Sequence, residues 1–224
     1  VGYEDLAPGG YFPKIGVGLL KRPDQKPYDF FRPYETIPFP MTMVNIPDGV
    51  KFTVEPLECR GFLLEMEKTI TINENQLQID YCLKNLGEQP VRTTEYCHNF
   101  IGIDGHRVGD AYKLEFPYPV QLLPAEDEKV QEALWISGAE ISWRFTPDQD
   151  FYGRLQEFSP EVPHQWTIRH QPTKAGVKEE SLFTPLRVAF WGKGHVISPE
   201  VFAEIRLNPG ETQSWSRRYT FFSE

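Results

Sequence analysis

The stretch that decides the fold is Ile197–Phe222, I-S-P-E-V-F-A-E-I-R-L-N-P-G-E-T-Q-S-W-S-R-R-Y-T-F-F. Val201, Ala203, Ile205 and Leu207 fall on one side of an extended chain, and Glu200, Phe202, Glu204 and Arg206 on the other. That two-residue period belongs to a β-strand. Asn208-Pro209-Gly210-Glu211 is a turn cluster, and beyond it Trp215, Arg217, Tyr219 and Phe221 alternate again. The reading is two long strands joined by a tight turn.

The same period recurs upstream. In Gln76–Lys84, Leu77, Ile79, Tyr81 and Leu83 oppose Gln76, Gln78, Asp80, Cys82 and Lys84, and in Glu67–Ile72 the isoleucines alternate with threonines. Asn73-Glu74-Asn75 joins these runs at hairpin length, and Asn85-Leu86-Gly87 turns the chain again. The expectation is a contiguous antiparallel meander from about Glu65 to Ile103. Further strands are expected near Ile15–Leu20, Met41–Asn45, Lys51–Glu55, Tyr112–Phe116, Glu140–Phe145, Gln165–His170 and Leu186–Trp191. Ala125–Trp135 alone has a helical look, and Asp24–Tyr34 and Pro172–Glu180 read as polar loops. The predicted product is all-β: two large antiparallel sheets packed face to face. With no repeat or composition shift, residues 1–224 read as a single domain, and a start at Val1 leaves room for an upstream segment.

Composition narrows the function classes. Twenty prolines and seventeen glycines imply many turns, and 14% aromatic residues supply a real core. A net charge of −9 argues against nucleic acid and anionic membrane surfaces as partners. No apolar run is long enough to span a bilayer. Cys59, Cys82 and Cys97 are widely spaced with no C-x-x-C, so free thiols and a cytoplasmic location are expected.

The segment Thr93–Gly105, T-T-E-Y-C-H-N-F-I-G-I-D-G, carries the candidate chemistry. Extended parity puts Tyr96, His98 and Phe100 on one face and Glu95, Cys97 and Asn99 on the other. An imidazole between two rings suits a site that binds flat, partly apolar rings and moves protons. Glu200, Glu204 and Arg206, with aromatic rings nearby, suit sugar hydroxyls: charged groups grip them, and ring faces stack on C–H patches. No H-x-H or H-x-x-x-H pair occurs, so no metal site is expected, and no phosphate-binding loop or other cofactor motif is present.

His98-Asn99-Phe100 with Gly105, then Glu200, then Leu207-Asn208-Pro209-Gly210-Glu211-Thr212 and a closing aromatic strand follow one another in an order that resembles the galactose mutarotase-like (aldose 1-epimerase-like) superfamily. The resemblance covers about Glu65 to the C-terminus. It implies a β-supersandwich with a sugar-binding groove, no cofactor and a small-molecule sugar as partner. It also implies His98 as general acid and Glu200 as general base of anomer interconversion, with Glu204 as the competitor for the base. Tyr96, Phe100 and Arg206 would line the groove. An upstream arginine would be Arg22, Arg32 or Arg60, and spacing does not choose among them. The chain departs from the pattern in having no histidine before His98, which favours binding over catalysis. Three functions follow: an aldose 1-epimerase-like isomerase, a non-catalytic carbohydrate-binding module, or a β-sandwich interaction domain. Oligomeric state has no signal in the sequence.

Overall fold

The structure, a computed structural model, describes residues 1–123, 128–156 and 162–223. In chain order the strands are β1 (Tyr11–Lys14), β2 (Gly18–Lys21), β3 (Thr36–Pro38), β4 (Met41–Ile46), β5 (Gly49–Val54), β6 (Leu64–Asn73), β7 (Gln76–Asn85), β8 (Val91–Glu95) and β9 (Tyr112–Glu115). A turn-and-a-half helix, α1 (Glu128–Ala133), follows. Then come β10 (Leu134–Ser137), β11 (Glu140–Trp143), β12 (Phe151–Arg154), β13 (Gln165–His170), β14 (Ala175–Ser181), β15 (Pro185–Lys193), β16 (Val196–Leu207) and β17 (Thr212–Ser223). The fold is all-β and antiparallel, as the alternation requires. The start of the helical-looking stretch, Ala125, lies outside the described residues. Among the described residues no helix is long and apolar enough to cross a membrane.

The chain forms two compact units, each assembled from three segments. The first comprises Val1–Thr71, Ile79–Thr93 and Ile205–Trp215. It holds the small sheet β1-β2-β3 and, side by side, β7, β6, β5 and β4. Leu19, Phe39, Val54 and Cys59 form one buried cluster with Tyr11 and Met66 packed on it, and Tyr3, Phe12 and Leu20 form another. Cys59, Cys82 and Cys97 are free thiols.

The second unit comprises Ile72–Gln78, Thr94–Glu204 and Ser216–Glu224. One sheet runs β10-β11-β9-β13-β14-β17 and a second runs β12-β15-β16. The inward residues of β9, β11 and β13 (Tyr112, Leu114, Ile141, Trp166, Ile168) are fully buried, as are Val188, Ala189 and Phe190 of β15. Full burial of such side chains is the main stabilising term, at roughly 1.5–3 kcal/mol each.

Three sequence readings need correction. The meander stops at β7, because β8 joins the sheet of β16 instead. Asn85 explains the break: its side chain accepts from the Gly87 N–H (3.1 Å) and donates to the carbonyls of Gln89 (2.8 Å) and Leu207 (3.3 Å), turning the chain away from β6. The supposed loop Pro172–Glu180 contains β14, whose charged residues do not all face water: Glu179 is fully buried. Finally, β16 and β17 belong to different sheets. The turn at Asn208–Glu211 is therefore an arch rather than a hairpin, with Gly210 at φ +82° and the Asn208 N–H bonded to Glu211 Oε2 at 2.7 Å.

Candidate functional site

The site is built on one face of β12-β15-β16. Residues paired across an antiparallel ladder share a face. The register Tyr152↔Trp191↔Ser198, Arg154↔Ala189↔Glu200 and Arg187↔Phe202 therefore places two tyrosine or tryptophan rings, two arginines, Glu200 and Phe202 together. A register shift between Pro185 and Arg187 precedes this row and sets where the arginine enters it.

The segment after β8 supplies the rest. His98 lies beyond the strand, which ends at Glu95. Its segment is pinned to β16 by side chains: the Asn99 N–H donates to Ser198 Oγ (2.9 Å), Asn99 Nδ2 donates to the Pro199 carbonyl, and Tyr219 donates its hydroxyl hydrogen to Asn99 Oδ1 (2.8 Å). Ile101 and Ile197 then exchange two backbone hydrogen bonds at 2.8 and 2.9 Å. Between these anchors Phe100 adopts φ +48°, a left-handed conformation uncommon for a bulky residue and a store of local strain. Below this segment Arg217 pairs with Glu95 at 2.8 Å, donates to the Val201 carbonyl at 2.9 Å and lies 3.7 Å from Glu179.

Parity along 96–100 survives the loss of strand structure. The His98 ring stacks on Phe100 (centroids 3.9 Å) and meets Trp191 edge-on at 5.1 Å, while Tyr96 stacks on Phe202 at 4.5 Å. Phe100 and Tyr96 are exposed, so the aromatic edge is open to solvent. The Arg187 guanidinium lies 3.8 Å from the centroid of the Phe202 ring.

His98 Nε2 is 3.4 Å from Glu200 Oε1. That is longer than a charge-assisted hydrogen bond of about 2.8 Å, so the two groups face each other without being locked. Burial pushes the Glu200 carboxyl up to about 7, against the opposing pull of Arg187. Burial also lowers the His98 imidazole below its usual value. The normal order of a carboxylic acid and an imidazole is thereby inverted, and at pH values between the two the pair holds about one proton.

Of the residues proposed from sequence, Tyr96, His98, Phe100 and Glu200 are brought together here. Glu204 lies four residues further along β16, half-buried, and Arg206 is exposed in the part of that strand belonging to the first unit. Arg22, Arg32 and Arg60 also belong to the first unit. There Arg22 is buried and donates to the carbonyls of Tyr3, Leu6 and Asp24, Arg32 pairs with Asp24 at 2.8 Å, and Arg60 donates to the Gly2 carbonyl at 2.7 Å. Sequence reasoning missed Arg187, Trp191, Tyr152 and Arg154. The first two had a signal: Arg187 is the one charge in the otherwise apolar run Leu186–Trp191, in phase with Trp191. Among the described residues no three His, Cys, Asp or Glu side chains gather as a metal site.

This architecture is a galactose mutarotase-like fold. It superposes on a galactose mutarotase-like protein from Lactobacillus casei with a TM-score of 0.62 at 13% identity, covering 96% of this chain and 81% of that one. A galactose mutarotase related enzyme from Lactobacillus acidophilus gives 0.61 at 12% identity, with 84% and 72% covered. The aldose epimerase homologue from C. elegans gives 0.57 at 15% identity, with 82% and 68% covered. At these identities the likeness is one of fold. No family model and no curated protein matches the sequence.

Proposed function

We propose that this chain binds a monosaccharide ring on the β12-β15-β16 face and interconverts its anomers with His98 and Glu200. The observation that carries the reading is the 3.4 Å approach of the imidazole to the buried carboxyl inside an open aromatic edge. The fold likeness to structures named for aldose epimerase and galactose mutarotase supports it. Ring opening must take a proton from the anomeric hydroxyl and give one to the ring oxygen. Both oxygens sit on the same carbon, so two groups in contact can serve them at once. One group donates to the ring oxygen as the C1–O bond breaks, while the other accepts the hydroxyl proton as the C1 carbonyl forms. Rotation about C1–C2 presents the other carbonyl face, and closure runs the transfer backwards, restoring the starting protonation. A pair holding one proton fits this exchange, with Glu200, the group protonated first, as the acid and His98 as the base, the reverse of the roles the resemblance implies.

A second reading, a non-catalytic saccharide-binding module, is favoured by the absence of any histidine before His98 in this sequence. Two-dimensional exchange NMR on a panel of hexoses and pentoses decides. Catalysed anomer exchange that His98→Ala and Glu200→Gln each reduce about 10²–10⁴-fold supports the enzyme. Binding with exchange at the uncatalysed rate supports the module. Neither binding nor exchange at millimolar sugar leaves an interaction domain.

A further inference from the structure

Among the described residues, several arginines away from the site face have evident partners. Arg22 and Arg60 donate to backbone carbonyls, Arg32 and Arg217 pair with carboxylates, and Arg218 donates twice to Gln78 Oε1 at 3.1 Å. Arg187 differs. Its guanidinium rests on the Phe202 ring, its Nε is buried without a hydrogen-bond partner, and among the described residues it makes no hydrogen bond or ion pair. It is half-buried, and a buried donor left unpaired is costly enough that such groups are normally matched.

The groups around it say what the match would be. Glu200, Tyr152 and Tyr96 lie within electrostatic reach of the guanidinium. None of them bonds to it, and Glu200 instead faces His98. The ring beneath holds the planar fork in place, which is the arrangement that favours a planar two-oxygen acceptor over a spherical or neutral one. One free guanidinium matches one negative charge. A dianionic phosphate would turn its second charge towards the Glu200 carboxyl.

Resting on the saccharide-binding reading above, we infer that the sugar this site selects carries a carboxylate, as uronic acids do, and that Arg187 receives it as a bidentate pair over the Phe202 ring. The carboxylate then supplies the acceptor that Arg187 lacks, while the remainder of the ring lies towards Trp191 and His98. In a chain of net charge −9 an anionic ligand is repelled at long range, so its binding depends on this local cation and weakens when the cation is removed.

Isothermal titration of the whole chain with D-galacturonate, D-glucuronate, D-galactose, D-glucose and D-glucose 6-phosphate tests this. At least one uronate is expected to bind about tenfold or more tightly than its neutral hexose. Arg187→Gln should bring that ratio towards one, and Arg187→Lys, which keeps the charge and loses the fork, should leave it intermediate. The wild-type ratio decides even where a variant fails to fold. A neutral hexose that binds as well as its uronate, or a gain confined to the 6-phosphate, overturns the inference and leaves saccharide binding standing. No binding by any of the five overturns both.

Discussion

Replacing Glu200 by glutamine should change the pH dependence of stability in a calculable way. Glu200 is buried and its carboxyl titrates at about 7 in the folded chain, whereas an unfolded glutamate titrates near 4.3. A raised carboxyl binds protons more tightly folded than unfolded, so the wild type loses stability as pH rises between those values and stays flat above the upper one. Each pH unit of separation is worth about 1.4 kcal/mol, so the ionised group costs the fold about 3–4 kcal/mol above pH 7. The pull of Arg187 is already included in the folded value. Glu200→Gln removes the titration. Its stability relative to wild type should therefore be about 3–4 kcal/mol more favourable at pH 8.5 than at pH 4. Urea unfolding of both proteins at half-unit pH steps measures the difference, and for a chain of this size it corresponds to a relative Tm gain of roughly 6–16 °C. A difference that stays constant within about 0.5 kcal/mol across that range would show that Glu200 ionises freely, and the proton-sharing account of the site would go with it.

Three more outcomes are expected. Arg217→Met strands Glu179 in the core and should lower stability by about 3–5 kcal/mol, part of it recovered when Glu179→Gln is added; a loss under 1 kcal/mol in denaturant melts speaks against a paired core. The anomer-exchange rate should peak between the lowered His98 pKa and about 7, falling on the alkaline side as Glu200 loses its proton and on the acid side as His98 gains one; a flat profile from pH 5 to 9 is incompatible with the one-proton pair. Phe100→Asn places a residue tolerant of positive φ at +48° and should stabilise the chain by up to about 1 kcal/mol. The same change should weaken sugar affinity because the ring stacked on His98 is gone, and calorimetry showing undiminished binding would remove Phe100 from the site.

Much of the architecture was legible because alternation is strong where one face of a strand is buried, as in β7, β13 and β17; β6, β15 and β16 also overlap the runs the pattern marks. The failures have specific causes. The segment Lys174–Ser181 is rich in charge, and nothing local says that Glu179 meets Arg217 from a strand about forty residues later. The exit of β8 from the meander depends on Asn85 reaching the carbonyl of Leu207, a contact with no sequence signature. At the site, parity found Tyr96, His98 and Phe100 even though hydrogen bonds from Asn99 replace the strand there. Arg187 and Tyr152 join them through lateral register, which a single sequence does not encode in readable form.

Neither compact unit is a continuous length of chain, and this governs the order of events during biosynthesis. The first unit lacks its last segment until Ile205–Trp215 has been made, and the second waits for Ser216–Glu224. A nascent polypeptide that has passed residue 200 therefore carries both candidate catalytic groups but neither finished scaffold. Contacts of such long sequence separation close slowly, and until they do, uncovered strand edges are open to association with other chains. Completion of residues 205–224, rather than the emergence of any earlier portion, is the point at which both units can close, and loss of residues 213–224 would deprive each of them of part or all of its last segment.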